Sequence, residues 1–256
     1  MANSLDECES ILAAERASKG RVFGVQNRAY TAAMWTMHKI IAEGGIGTPT
    51  TVQTNGLEGT ELILRMGSLR TDAKGVVGTQ MFHNLYLVPW LIGDEIHSIV
   101  SDVSRGPNSR LFAADENAAA IIRYRGGAMH LAFGTLGRPS DVTEHTVHVQ
   151  GTEGELRSER VGDQDHRREL LYIARRGDSS WEQVPLRNPQ ARGYEFAQMW
   201  RDFMTALRTG GEPMMTTASA IQAMVWVDEL YRSASERTAP EVRLRDTPER
   251  GEERAR

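Results

Sequence analysis

His83 is the side chain in this sequence best suited to move a proton, because imidazole titrates close to neutral pH. It lies in the stretch 75–93, which reads as a short helix ending in Trp90-Leu91-Ile92-Gly93. Four residues make about one helical turn, so Thr79 would share a face with His83. Gln80 and Tyr86 could line a pocket beside it; for Tyr86, core packing is an equal explanation. The plain alternative for His83 is a helix histidine tied to a backbone group. Asn27 and Arg28 could orient a substrate or cofactor, or act as a helix-capping pair. His145 and His148 stand three apart in a strand pattern and so face opposite sides, which makes them a poor metal pair. His97 and His130 read as surface or interface residues. No Cys/His cluster supports zinc, and no Gly-x-Ser-x-Gly elbow supports acyl transfer.

The elements that must position these residues belong to a chain of 256 residues, 40% apolar and 25% charged, which is enough for a packed core. A formal net charge of −4 argues against a general nucleic-acid binder. No run approaches the roughly 18 apolar residues of a membrane span, and the polar, acidic start is not a signal peptide. Cys8 is the sole cysteine, which excludes an intramolecular disulfide and fits a reducing, cytoplasmic setting. It falls in a predicted helix, where packing is its expected role.

That first helix opens at a capping box, Ser4 with Glu7, and runs to about Lys19. Arg21–Val25 is apolar on both faces and reads as a strand of the kind found inside parallel sheets. A helix is expected over 29–43, and a β-branched strand over 49–54. Residues 56–74 show little periodicity and read as a loop or insertion. Beyond the His83 helix the pattern changes to period two. Strands are expected over 96–100, 118–124 and 128–133, the last two joined by Arg125-Gly126-Gly127, and over 144–149 and 155–158 around Gly151–Gly154. Weaker strands are expected over 169–174 and 181–186. Helices follow over 194–208 and 217–233, then a short edge strand at 241–244. The implied fold class is α+β, a large, mostly antiparallel open sheet with helices on one face. The other face is then solvated or buried in a partner.

Several stretches, in this order, resemble landmarks of the Gfo/Idh/MocA oxidoreductase family. They are Gly24-Val25-Gln26-Asn27-Arg28-Ala29-Tyr30, the helix end Ile41–Gly47, the His83 helix, Asp115–Ala119, Gly151-Thr152-Glu153-Gly154, Leu207–Pro213 and Leu230–Ala234. The resemblance spans most of the chain. It implies a C-terminal α/β domain over 28–244, preceded over 1–27 by a helix-strand remnant of a Rossmann-type domain; the charged, apolar-poor composition of 245–256 reads as a disordered tail. It also implies that two family motifs are missing: the glycine-rich turn that holds a dinucleotide's pyrophosphate, and a Glu-Lys-Pro whose lysine helps bind substrate. The chain is therefore expected to begin just after the latter. Relatives often carry aspartates where this sequence has Thr79 and Tyr86. Threonine cannot support an imidazolium as a carboxylate would.

The resemblance implies an oxidoreductase, or its substrate domain, acting on a sugar-like or cyclic polyol substrate. His83 is its catalytic candidate, and Asn27, Arg28, Thr79, Gln80 and Tyr86 are its substrate-binding candidates. NAD or NADP would serve only if a separate nucleotide-binding chain or a missing N-terminal domain supplied its site, and the sheet face is expected to pair two copies. Two other functions stay open. One is a cofactor-free lyase, isomerase or dehydratase using His83 as acid or base; the other is a non-catalytic binding or assembly module. No metal, nucleic-acid or membrane partner is expected.

Overall fold

The structure, a computed structural model, describes residues 2–66, 74–111, 114–162, 168–187 and 193–236. Eight strands form one sheet in the order β2-β3-β4-β1-β5-β6-β7-β8. They are β1 Pro49–Gly59, β2 Ile96–Ser104, β3 Asn117–Tyr124, β4 Met129–Arg138, β5 Thr143–Gly151, β6 Gly154–Gly162, β7 Arg168–Arg175 and β8 Glu182–Gln183. Only β1 and β4 pair in parallel; the other pairings described are antiparallel. The sheet is thus the mostly antiparallel one expected. The strands alternate in burial, and β3 shows the rule most plainly: Ala118, Ala120, Ile122 and Tyr124 point inward while Ala119, Ile121 and Arg123 point out.

Helices cover the inward face. They are α1 Leu5–Arg16, α2 Ala32–Ala42, α3 Thr60–Met66, α4 Phe82–Ile92, α5 Tyr194–Thr209 and α6 Thr217–Glu236. The core joins Met37 and Ile41 of α2, Leu85 and Leu91 of α4 and Val227 and Leu230 of α6 to Val52, Ile122, Leu156 and Leu171 of the sheet. Cys8 is fully buried in this core, so packing is its role. The capping box of α1 is present in full, with Ser4 accepting from the Glu7 amide and Glu7 accepting from that of Ser4.

Several elements depart from their sequence pattern. Arg21–Val25 pairs with no described strand. Phe23 instead stacks on Phe203 of α5 at 4.3 Å between ring centroids, and Gly24 lies against Ala220 of α6. A short apolar run fits a helix-lined cleft as well as a sheet. The helix expected over 29–43 is two pieces, a 3-10 turn Asn27–Tyr30 and α2, because Thr31 turns extended and caps α2 through the Met34 amide. Residues 56–66 are not a loop. β1 continues to Gly59 because strands flank it on both sides, and α3 follows. His130 is not on the surface: it is fully buried, bonded at 2.8 Å to the Thr54 hydroxyl. The strand expected over 181–186 shrinks to Glu182–Gln183. The edge strand at 241–244 and the tail 245–256 lie outside the described residues.

A π-helical turn, Val77–Met81, leads directly into α4. It sits on the sheet where Gly56 of β1 and Gly134 of β4 are register partners. A Cβ at Gly134 would come within 2.9 Å of Val76 and 3.1 Å of Met81, and one at Gly56 within 3.4 Å of Gln80. The bare Gly134, beside Gly56, therefore lets the start of the His83 helix approach the strands closely.

Candidate active site

The 3-10 turn carrying Arg28 is anchored from behind. The Tyr30 hydroxyl donates to Asp202 of α5 at 2.7 Å and accepts from the Met215 amide at 3.3 Å. Arg28 then reaches over the inward face of β1 and β5. Its guanidinium donates to Gln80 Oε1 at 2.7 Å and lies 3.4 Å from His145 Nε2. That same nitrogen is 2.8 Å from Glu58 Oε1, in a pair almost wholly withdrawn from solvent. On the other side the Arg28 amide donates to the Tyr86 hydroxyl at 3.4 Å, and that hydroxyl is 2.8 Å from His83 Nδ1. A continuous polar chain thus joins Glu58 to His83 through His145, Arg28 and Tyr86.

His83 is half-buried, and Tyr86 is 3% exposed. Burial holds the His83 imidazole far below the usual histidine range, with the charges of Arg28, His145 and Arg160 adding to the effect. Burial likewise raises the Tyr86 hydroxyl, so it keeps its proton at neutral pH. His83 is therefore a neutral imidazole whose Nε2 makes no hydrogen bond to a described residue.

Beside this chain lies a second charged cluster. Arg160 donates to Glu195 Oε1 at 2.9 Å and stands 3.7 Å from Glu169 Oε1. Burial raises the Glu169 carboxyl and Arg160 counters it. A small, partly open pocket of about 30 Å³ is bordered by Arg28, Asn84, His145, Arg160 and Glu169. Asn84 is 3% exposed, and its side-chain nitrogen has no partner among the described residues.

The structure therefore brings together His83, Tyr86, Arg28 and Gln80. Thr79 turns away, its hydroxyl donating to the Gly75 carbonyl at 2.8 Å. Asn27 opens the 3-10 turn, half-buried, with no side-chain hydrogen bond to a described residue. Glu58, Arg160, Glu169 and Glu195 join the site without having been singled out by sequence. Their one signal is alternation: Glu58 continues the inward series Val52, Thr54, Gly56, and Arg160 continues Leu156, Ser158. Among the described residues no group of three or more His, Cys, Asp or Glu could hold a metal ion, and no helix is long and apolar enough to cross a membrane.

An open sheet of this order, covered by helices on one face with a polar cluster under α4, is an α/β domain. Residues 38–244 match the family model described as "Oxidoreductase family, C-terminal alpha/beta domain". The chain belongs to the Gfo/Idh/MocA oxidoreductase family. No curated protein matches its sequence. Its fold is similar to that of aldose-aldose oxidoreductase from Caulobacter crescentus, solved with glycerol (TM-score 0.75, 18% identity, 92% of this chain and 68% of that one). It is also similar to a levoglucosan dehydrogenase in complex with NADH and levoglucosan (0.74, 19%, 91% and 69%). A third is the WlbA dehydrogenase from Bordetella pertussis with NADH and UDP-GlcNAcA (0.70, 20%, 91% and 68%).

A dinucleotide's pyrophosphate is held by free helix N-terminal amides; several of those described already have side-chain partners, whereas α5 begins without a side-chain cap. Ser4 takes the Glu7 amide of α1, and Glu7 takes the Asn3 and Ser4 amides just ahead of it. Thr31 and Glu169 occupy those of α2, Asp115 takes the Val77 amide ahead of α4, and Thr216 takes the Ser219 amide of α6. Two of these acceptors are glutamates and one an aspartate, and a phosphate would meet them as like charges.

Proposed function

We propose that this chain is the substrate-handling part of an oxidoreductase acting on a sugar-like or cyclic polyol substrate, with His83 meeting the reacting oxygen. In this reading residues 1–27 belong with a nucleotide-binding module and 28–244 form the substrate domain. The dinucleotide's phosphates are held by groups other than the described residues. The observation that carries the reading is the polar chain from Glu58 to His83, which ends at a half-buried neutral imidazole whose Nε2 has no partner among the described residues. Two structural neighbours, named for an aldose and for levoglucosan, support the substrate class. Gln80 and Arg28 orient the substrate's hydroxyls, and His83 hydrogen-bonds the oxygen that changes oxidation state. The hydride half of such a reaction is outside what these residues do.

Titration with levoglucosan and with simple aldoses, followed by NMR of the histidine rings, tests this. A bound sugar shifts the His83 resonances and leaves those of His97 unmoved. Arg28→Ala weakens the sugar by roughly tenfold or more, the scale of a hydrogen bond from a charged group. No ring shift at saturating sugar would end the reading.

The open sheet face supports a second copy of this chain as partner. Val100, Ile121, Leu131 and Phe133 are 52%, 43%, 40% and 41% exposed there, a continuous apolar patch on neighbouring strands. Sedimentation is expected to show a dimer at micromolar concentration, and Phe133→Lys a monomer. A strict monomer for the unaltered chain counts against it.

A further inference from the structure

We propose that Tyr86 is a positioning residue that locks His83 in the tautomer bearing its hydrogen on Nε2, so that the site offers the substrate oxygen a hydrogen-bond donor. The inference rests on the reading that His83 meets the reacting oxygen, and its argument is a count of hydrogens.

The Tyr86 oxygen has two partners among the described residues, the Arg28 amide at 3.4 Å and His83 Nδ1 at 2.8 Å. A backbone amide can only donate, so the tyrosine accepts there. Tyr86 is 3% exposed, so its own hydrogen has no solvent to meet. If Nδ1 carried the imidazole hydrogen, both contacts would point hydrogens at the same oxygen, and the hydroxyl hydrogen would be buried without an acceptor. Leaving a buried donor unmade is costly. The arrangement that satisfies every group has Tyr86 donating to a bare Nδ1. Nε2 of the neutral ring then carries the hydrogen.

The Arg28 amide is held in place to enforce this. Its side chain is tied to Gln80 and to the buried Glu58–His145 pair, and its turn is tied to α5 through Tyr30. The lock therefore extends to the inward ends of β1 and β5. A neutral imidazole N–H is a donor to a carbonyl oxygen or to the alkoxide developing from it. It is not a base toward a hydroxyl. The resting site can thus donate to the oxygen of the carbonyl form, the ketone or aldehyde of the sugar, with His83 steadying that oxygen as it gains negative charge.

Long-range 1H–15N correlation on the unliganded chain reads the tautomer directly. At pH 7 the expected His83 pattern is a protonated Nε2 and a bare, hydrogen-bonded Nδ1, in at least tenfold excess over the other tautomer. In Tyr86→Phe the Nδ1 resonance moves toward that of a nitrogen without a donor, and the excess falls several-fold. If that variant does not fold, replacement of the tyrosines by 3-fluorotyrosine, a stronger donor, is expected to move the Nδ1 resonance the opposite way. A hydrogen on Nδ1 in the unaltered chain, or an Nδ1 shift indifferent to both changes, overturns the proposal. Failure of sugars to bind is a separate result and strikes the functional reading alone.

Discussion

Arg160→Met is expected to cost the fold about 3–5 kcal/mol at pH 7, the scale of breaking a buried ion pair by removing one partner. The side chains of Arg160, Glu169 and Glu195 are only 16%, 11% and 10% exposed. Without the guanidinium, two carboxylates face each other in a poorly solvated place. Burial and Glu195 already raise the Glu169 carboxyl against the pull of Arg160, so its loss raises it further. The sign follows. A carboxyl whose folded pKa exceeds its unfolded value weakens the fold as pH rises through that interval, and the penalty vanishes below the unfolded pKa. Urea denaturation at pH 7 and at pH 4.5 is expected to show a large deficit relative to the unaltered chain at the first and a small one at the second. Adding Glu169→Gln to the variant restores most of the difference. A deficit under 1 kcal/mol, or one indifferent to pH, would show that the cluster is effectively solvated.

The second large effect is acid lability centred on His130. Burial alone pulls this imidazole down to about 3. Its ring nitrogens face the Thr54 and Tyr124 hydroxyls, which offer no charge to balance a proton. A histidine whose folded pKa is depressed is favoured neutral, so the unfolded chain binds the proton first. Stability is complete above the unfolded pKa near 6.5 and is lost as pH falls toward 3. One residue then accounts for about 2 kcal/mol by pH 5 and about 4 kcal/mol by pH 3, at 1.36 kcal/mol per unit. His83, also depressed, acts in the same direction. In His130→Gln, stability between pH 6.5 and 4 is expected to fall much less steeply, even though the variant starts lower at pH 7 from altered packing. An unchanged slope would assign the acid sensitivity elsewhere.

The fold was legible wherever one local rule acted alone. Period-two burial marks β3 to β6, and the glycines at Arg125-Gly126-Gly127 and Gly151–Gly154 mark their turns. The Ser4–Glu7 capping box places the start of α1. Ordered family landmarks identify the domain, and residues 38–244 match that domain's model. What stayed illegible depends on tertiary neighbours. Arg21–Val25 has the composition of an inner strand, yet α5 and α6 provide its apolar contacts. His130 sits between Ala128 and Ala132 in the inward series, but histidine on a strand reads as polar until its hydroxyl partners are known. For the site, His83, Arg28, Gln80 and Tyr86 were nameable, whereas Glu58 was hidden by Gly56 and Gly59, which mimic a loop. His145 was weighed only as a metal ligand, because its true partner lies 87 positions away in sequence. The π-helical turn has no sequence mark, though it decides that Gln80 rather than Thr79 meets Arg28.

The glycine pair at Gly56 and Gly134 has a consequence for how this scaffold can change. Where a protein sets the depth of a reactive ring with bulky supports, many replacements shift it slightly and selection can tune it by degrees. Here the seat of His83 rests on the missing side chain of Gly134, where even a methyl group would press on Val76 and Met81. The floor is thus a hard stop, and new substrates are accommodated from the roof, by exchanging residues of the 3-10 turn and α4 over an unchanging base.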